Sequence, residues 1–354
     1  MRYGISFLPD CGPELKSPVE YFRDAIDLSV MADQGGLETV KMTEHYLRRY
    51  GGYCPDPLSF LAAVATRTQH IRLMTGCMLP AFHHPIQIAA HAAMVDTISG
   101  GRLDAGFARA YMPYEFASLG VPMDESTERF RQTIAAVTRL WTEQGVSEDG
   151  PFFSYRDVTS IPSPAQHPHP PIWGAASTTW ESFQWIGAQG FGLLITPILS
   201  SVADFRAKLG AYRSSFSGGS GADARPQVAA SVPLYIADTE EQARSEARGY
   251  LDRYLAVWTE AANSWMSASS VAYQGYSGLA PVLQATTGSD LIARGSAIVG
   301  TPDTVAEQIR ALSVACEFTN ADQILWQIDF GGMPIARSGR TLELFIEKVL
   351  PQLE

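Results

Sequence analysis

A glutamate and a histidine stand side by side at positions 44 and 45, directly after an apolar run over residues 37–42. A carboxylate next to an imidazole can hold, give or take a proton near neutral pH. A second apolar run, over 103–108, ends on Arg109, and its Gly106 and Ala108, with Ala110 just beyond, leave the backbone open to a flat or bulky group. The guanidinium is a fixed planar charge suited to phosphate. Ser177-Thr178-Thr179 opens a helical pattern. Hydroxyls and free amides at a helix start cap the helix, and they can also seat a phosphate. Arg129 is placed to add a second cationic contact, and Thr75-Gly76, His83-His84 and Glu115 also fall just within or beyond apolar runs. His45, His83, His84 and Glu44 could gather around a metal, but no spacing matches HExxH or another ligand motif, so no metal is expected. There is no GxSxG elbow to support a serine hydrolase.

These groups need elements to position them. Strand-like runs at 3–8, 37–42, 71–79, 103–108, 171–175, 191–195, 228–236 and 324–328 alternate with helical patterns. The helices open at Pro18 and Pro57, follow His84-Pro85, and recur at 125–141, from Trp180, and at 202–212, 240–258 and 341–349. Eightfold alternation predicts one α/β domain over 1–354, a (β/α)8 TIM barrel with insertions after strands 4 and 7. A doubly wound sheet is the competing arrangement, but no GxGxxG follows the first strand. In such a barrel the site lies at the C-terminal ends of the strands, where the residues above fall. Residues 150–160 read as a hairpin excursion, 163–171 as an extended proline-rich link, and 217–224 as a loop rich in glycine and serine. Residues 263–294 mix polar, aromatic and glycine residues without periodicity; a stretch this long is expected to be a mobile lid or insertion.

Composition bounds the class of protein. The chain has 354 residues, 46% hydrophobic and 18% charged, as a core-forming protein requires. The formal charge of −11 argues against nucleic-acid or anionic-membrane partners. Cys11, Cys54, Cys77 and Cys316 lack CxxC spacing and read as free thiols of a reducing cytoplasm. No apolar run is long enough for a bilayer, and no leader precedes the first strand, so a cytoplasmic protein is expected.

Several blocks together resemble a known family. They are Glu44-His45; residues 75–80 with His84-Pro85; residues 96–104 running into Gly106-Phe107-Ala108-Arg109; and Ala176-Ser177-Thr178-Thr179. Residues 299–306 and 331–334, and the stretch through Phe345 to Pro351, complete the set. In these the chain resembles the bacterial luciferase-like flavin-dependent monooxygenases over nearly its whole length. The resemblance implies a barrel that binds reduced FMN (FMNH2) at its mouth, reacts it with O2 to a C4a-hydroperoxyflavin, and oxygenates a lipophilic small molecule. It implies that His45 and Glu44 are catalytic, and that Thr75, Gly76, Arg109, Arg129, Ser177 and Thr178 bind cofactor, with a non-proline cis peptide at Thr75-Gly76. Met78, Phe82, His84, Tyr111, Glu115 and Trp326 are expected in the substrate pocket. The chain departs from the luciferases at Ala108, where they carry a reactive cysteine, and at Ala175, where they carry a serine, which implies a different pocket wall.

No nicotinamide fingerprint is visible, so a separate flavin reductase is expected to supply the reduced flavin. A homodimer, paired through the helices after strands 2 and 3, follows from the resemblance. The alternatives are a deazaflavin-dependent hydride-transfer enzyme on the same barrel and a non-catalytic flavin-binding protein. Reaction of the reduced flavin with oxygen separates the first alternative. The presence of both His45 and Arg109 argues against the second.

Overall fold

Tyr3, Ile5 and Phe7 alternate with Gly4 and Ser6, so one face of the first strand is large and apolar and the other small. The large face packs under the helices, while Ser6 faces inward and is hydrogen-bonded from Ser231 across the barrel. The same alternation repeats from strand to strand in the computed structural model, which describes residues 1–218 and 225–353. Most of the expected loop at 217–224 lies outside the described residues.

The strands are β1 (Arg2–Phe7), β2 (Thr39–Met42), β3 (Arg72–Thr75), β4 (Leu103–Phe107), β5 (Val146–Asp149), β6 (Ser154–Val158), β7 (Ile172–Ala175), β8 (Gly192–Ile195), β9 (Val228–Ile236), β10 (Ile298–Gly300) and β11 (Gln323–Gln327). Parallel pairing runs β1-β2-β3-β4-β7-β8-β9-β11 and returns to β1, which closes an eight-stranded parallel barrel with helices outside. The TIM barrel expected from the alternation is the fold found. β5 and β6 form the antiparallel hairpin anticipated near 150–160. β10 lies outside the ring, paired with β9. It is not among the eight apolar runs, because three residues are too few to show a period. The third strand is shorter than expected: its ladder stops at Thr75, and the Gly76–Cys77 peptide is cis.

Met74, Trp173, Leu194, Ala229 and Leu325 fill the lower barrel interior. Above them the inward residues turn small or polar, at Gly76, Ala108, Ala175, Ser231 and Gln327, so space remains at the C-terminal mouth. Residues 263–294 follow the helix Glu240–Ala262 as short helical turns. Trp265 and Tyr273 anchor this segment against Leu79, Ala110 and Phe116, on the loops beyond β3 and β4. Beside the mouth, Lys16 is buried between Asp24 and Asp329, at 3.3 Å from each, and Asp10 accepts from the Gly331 amide at 2.6 Å. All four cysteines are free and buried. Among the described residues no helix is long and apolar enough to cross a membrane.

Candidate active site

The mouth opens into a cavity of about 610 Å3, inside the size range of small-molecule sites. Its walls come from the ends of several strands and from the 263–294 segment, which contributes Tyr273, Gly275, Tyr276, Gly278, Leu279 and Val282.

His45 lines this cavity and is 4% exposed. Its Nδ1 lies 3.0 Å from Glu115 Oε1, which also accepts from the Tyr46 amide at 2.8 Å. With Nδ1–H donated to the carboxylate, Nε2 is the ring nitrogen left for a ligand. Tyr50 packs against the ring at 4.6 Å between centroids, Tyr111 meets it edge-on at 6.0 Å, and the two tyrosine hydroxyls are hydrogen-bonded to each other. Gly51, at φ +72°, lets the chain pass the imidazole; a Cβ there would sit 2.7 Å from His45 Cβ.

Glu44 also borders the cavity, but its oxygens are engaged. Oε1 accepts from Tyr46 Oη at 2.7 Å and lies 2.6 Å from His83 Nε2, and Oε2 accepts from the Leu79 amide at 3.0 Å. Burial pulls the His83 imidazole down, but the hydrogen bond and charge of Glu44 outweigh it and leave His83 above its ordinary value.

Arg109 and the Ser177–Thr179 hydroxyls line another part of the wall. Arg109 stacks on Tyr273 at 4.2 Å and donates to Thr127 Oγ1 at 2.7 Å and to the Ala272 carbonyl at 2.9 Å. Ser177 and Thr178 are exposed, and the Ser177 hydroxyl lies 3.3 Å from Tyr276 Oη of the covering segment. The helix Trp180–Ala188 begins here without a side-chain cap, since Thr179 Oγ1 pairs instead with Ser182 Oγ at 2.7 Å. Arg109, Thr127, Arg131 and Ser182 also border a smaller adjoining cavity of about 340 Å3.

The structure thus brings Glu44, His45, Gly76, Arg109, Tyr111, Ser177 and Thr178 to one cavity. Glu115 stands behind His45, not in the pocket. Other expected residues lie away from the cavity. Trp326 is turned outward between Tyr3 and Phe345 because it is one residue out of phase with the inward face, which Gln327 occupies instead. The Thr75 hydroxyl bridges to both the amide and the carbonyl of Gly106 between β3 and β4. Met78 is in the outer core, and Phe82 packs on Tyr46 and Phe116. His84 caps the helix Pro85–Ile98, with its ring against Phe153 and Tyr155. Arg129 pairs at 2.8 Å with Glu125, the residue that precedes its helix Ser126–Thr142, and covers Phe152. The cis peptide falls one bond later than the expected Thr75-Gly76. Sequence reasoning missed Lys41, Tyr50, Ser231, Trp258 and Gln327 as cavity walls; strand phase alone would have found Lys41, Ser231 and Gln327. Among the described residues no cluster of His, Cys, Asp and Glu is arranged to hold a metal.

Comparison with known proteins places this geometry. The chain is 27% identical over 358 residues to the oxygenase component of the flavin-dependent trigonelline monooxygenase of Acinetobacter baylyi, covering 99% of this chain and 95% of that one. An F420-dependent glucose-6-phosphate dehydrogenase of Kribbella flavida is 33% identical over 157 residues, 42% of this chain and 47% of that one. The crystal structure of the monooxygenase RslO1 from Streptomyces bottropensis superposes over the full length of both chains with a TM-score of 0.85 and 34% identity. Residues 1–316 match the family model for luciferase-like monooxygenases, and the chain belongs to that family.

Proposed function

We propose that this protein is the oxygenating component of a two-component monooxygenase, which takes reduced FMN from a separate reductase and uses O2 to oxygenate a lipophilic small molecule. One observation carries the reading. A buried histidine held by a carboxylate, and an arginine grouped with exposed hydroxyls at an uncapped helix start, border one cavity from the ends of different strands. The donor set fits FMN. Arg109, Ser177, Thr178 and the first amides of the helix Trp180–Ala188 suit a phosphate. Ala108, Ala175 and Ala176 leave a slot for a flat ring. Bound reduced FMN would supply the activation of O2, which no side chain of the chain can perform.

The chain's own residues do the rest. Glu115 fixes the His45 ring so that Nε2 faces the cavity, where it can hold or deliver a proton. Tyr276 bonded to Ser177, and Arg109 bonded to Ala272, fasten the covering segment over the mouth and keep water from the reacting centre. Leu8, Leu79, Ile198, Leu199 and Trp258 offer apolar wall to a substrate. The same reading includes a homodimer paired through the helices Pro57–Ala65 and Pro85–Ile98, where Met94 and Ile98 are exposed.

The flavin-dependent relative matches end to end, while the deazaflavin-dependent one matches less than half of the chain; this favours FMN. The test is anaerobically reduced FMN mixed with oxygenated buffer in a stopped-flow spectrometer. Reoxidation kinetics that depart from those of free flavin in proportion to added protein support the proposal. Kinetics unchanged at saturating protein, together with hydride transfer to oxidised deazaflavin, would establish the alternative.

A further inference from the structure

Lys41 lies on the inward face of β2, in phase with Thr39 and Thr43, and is 6% exposed while bordering the cavity. Its Nζ donates to the Gly76 carbonyl at 3.2 Å and stands 3.5 Å from Thr43 Oγ1. An ammonium carries three donors, so two long contacts to neutral oxygens leave it short of partners. The stem lies across Gly76, where a Cβ would sit 2.2 Å from Lys41 Cγ. Gly76 therefore keeps the path open for the side chain.

Lys16 shows how this chain compensates a buried ammonium elsewhere, between two carboxylates. Nothing comparable serves Lys41 among the described residues. Glu44, beyond β2, is engaged by Tyr46, His83 and the Leu79 amide. The Cys77 thiol, beyond β3, is pushed up to about 12 by burial, and burial likewise holds Tyr50 and Tyr111 well above their ordinary range. The other ionisable groups that share the cavity offer no counter-charge: His45 and Arg109 are not anions, and Lys208 pairs with Asp204 at 2.9 Å. β9 and β11 bring only neutral Ser231 and Gln327. An unpaired buried charge is costly, and a ligand of opposite charge relieves that cost. Burial lowers Lys41 to about 8, so it remains mainly cationic at neutral pH.

We propose that Lys41 is a second anion-binding group of the cavity, apart from Arg109, pairing with a negative charge on the planar part of a bound molecule. Two sources share this chemistry: the anionic ring of reduced FMN, which rests on the functional reading above, and an aromatic carboxylate substrate, which does not.

The experiment measures binding of oxidised FMN, anaerobically reduced FMN and benzoate to the wild type, Lys41→Met and Lys41→Arg by titration calorimetry. Loss of one charge-assisted contact predicts about tenfold weaker binding of the anion to Lys41→Met, with oxidised FMN, whose ring is neutral, unchanged and Lys41→Arg recovering part of the loss. Wild-type affinity for the anion falls as pH rises through about 8, and that fall is absent in Lys41→Met. A loss confined to reduced FMN identifies the ring as the anion, and one confined to benzoate identifies a substrate carboxylate. Equal loss for neutral and anionic ligands overturns the proposal by showing a packing role. So do unchanged affinities in Lys41→Met, or a wild type that binds neither anion. If the wild type binds no FMN yet holds benzoate through Lys41, the flavin reading falls and this one stands.

Discussion

Glu115 accepts from the buried His45 Nδ1 at 3.0 Å and from the half-buried Tyr46 amide at 2.8 Å, with no other acceptor for either among the described residues, and is itself wholly buried. Glu115→Ala leaves both donors unmatched. Each such group costs about 1–3 kcal/mol, so the variant loses about 2–6 kcal/mol, a large part of the ~5–15 kcal/mol that holds an ordinary domain together. Glu115→Gln keeps an acceptor for both donors and loses only charge assistance, along with the favourable negative charge in the first turn of the helix Pro113–Leu119. Its expected loss is about 1 kcal/mol. Urea unfolding followed by tryptophan fluorescence measures both variants. The functional counterpart is coupling. On the proposed function, with the imidazole unanchored, Glu115→Ala should release more peroxide per reduced flavin consumed than the wild type, with Glu115→Gln between them. Equal stability of the Ala and Gln variants would refute the assignment of Glu115 as the group that fixes His45.

Other perturbations test the remaining contacts. Gly51→Ala forces an L-residue to φ +72° against the His45 ring and is expected to cost about 1–2 kcal/mol in thermal or urea unfolding. On the proposed function, Arg109→Gln should weaken FMN about tenfold more than it weakens riboflavin, which lacks the phosphate and senses only the loosened covering segment, in fluorescence titrations. His83 is raised above 6.5, so its pairing with Glu44 stabilises fully below about 6.5 and fades as pH rises through the folded value. His83→Gln should therefore lose more stability in acid than in alkali. Asp10 is pushed up to about 7 by burial, which outweighs the Gly331 hydrogen bond, so its contribution becomes unfavourable as pH climbs from about 3.8 to about 7. Asp10→Asn can still accept from Gly331, and its stability relative to the wild type should rise across that window in urea titrations.

The sequence by itself determined the barrel, because eight apolar runs separated by helical periods leave few other ways to bury both faces of a parallel sheet. It also placed Glu44, His45, Arg109, Ser177 and Thr178 at strand ends, and a parallel barrel gathers strand ends at one mouth. What it could not determine was the phase of each side chain and the partners brought from far along the chain. Trp326 and Gln327 are neighbours in sequence, yet one faces the helices and the other the cavity, since successive strand residues point to opposite sides. Glu115 reaches His45 across 70 positions from a helix of seven residues, too short to announce itself by periodicity. Lys41 looks like an ordinary charged residue in an apolar strand; only the closed barrel shows it buried without a counter-charge, because burial and pairing belong to three-dimensional neighbours.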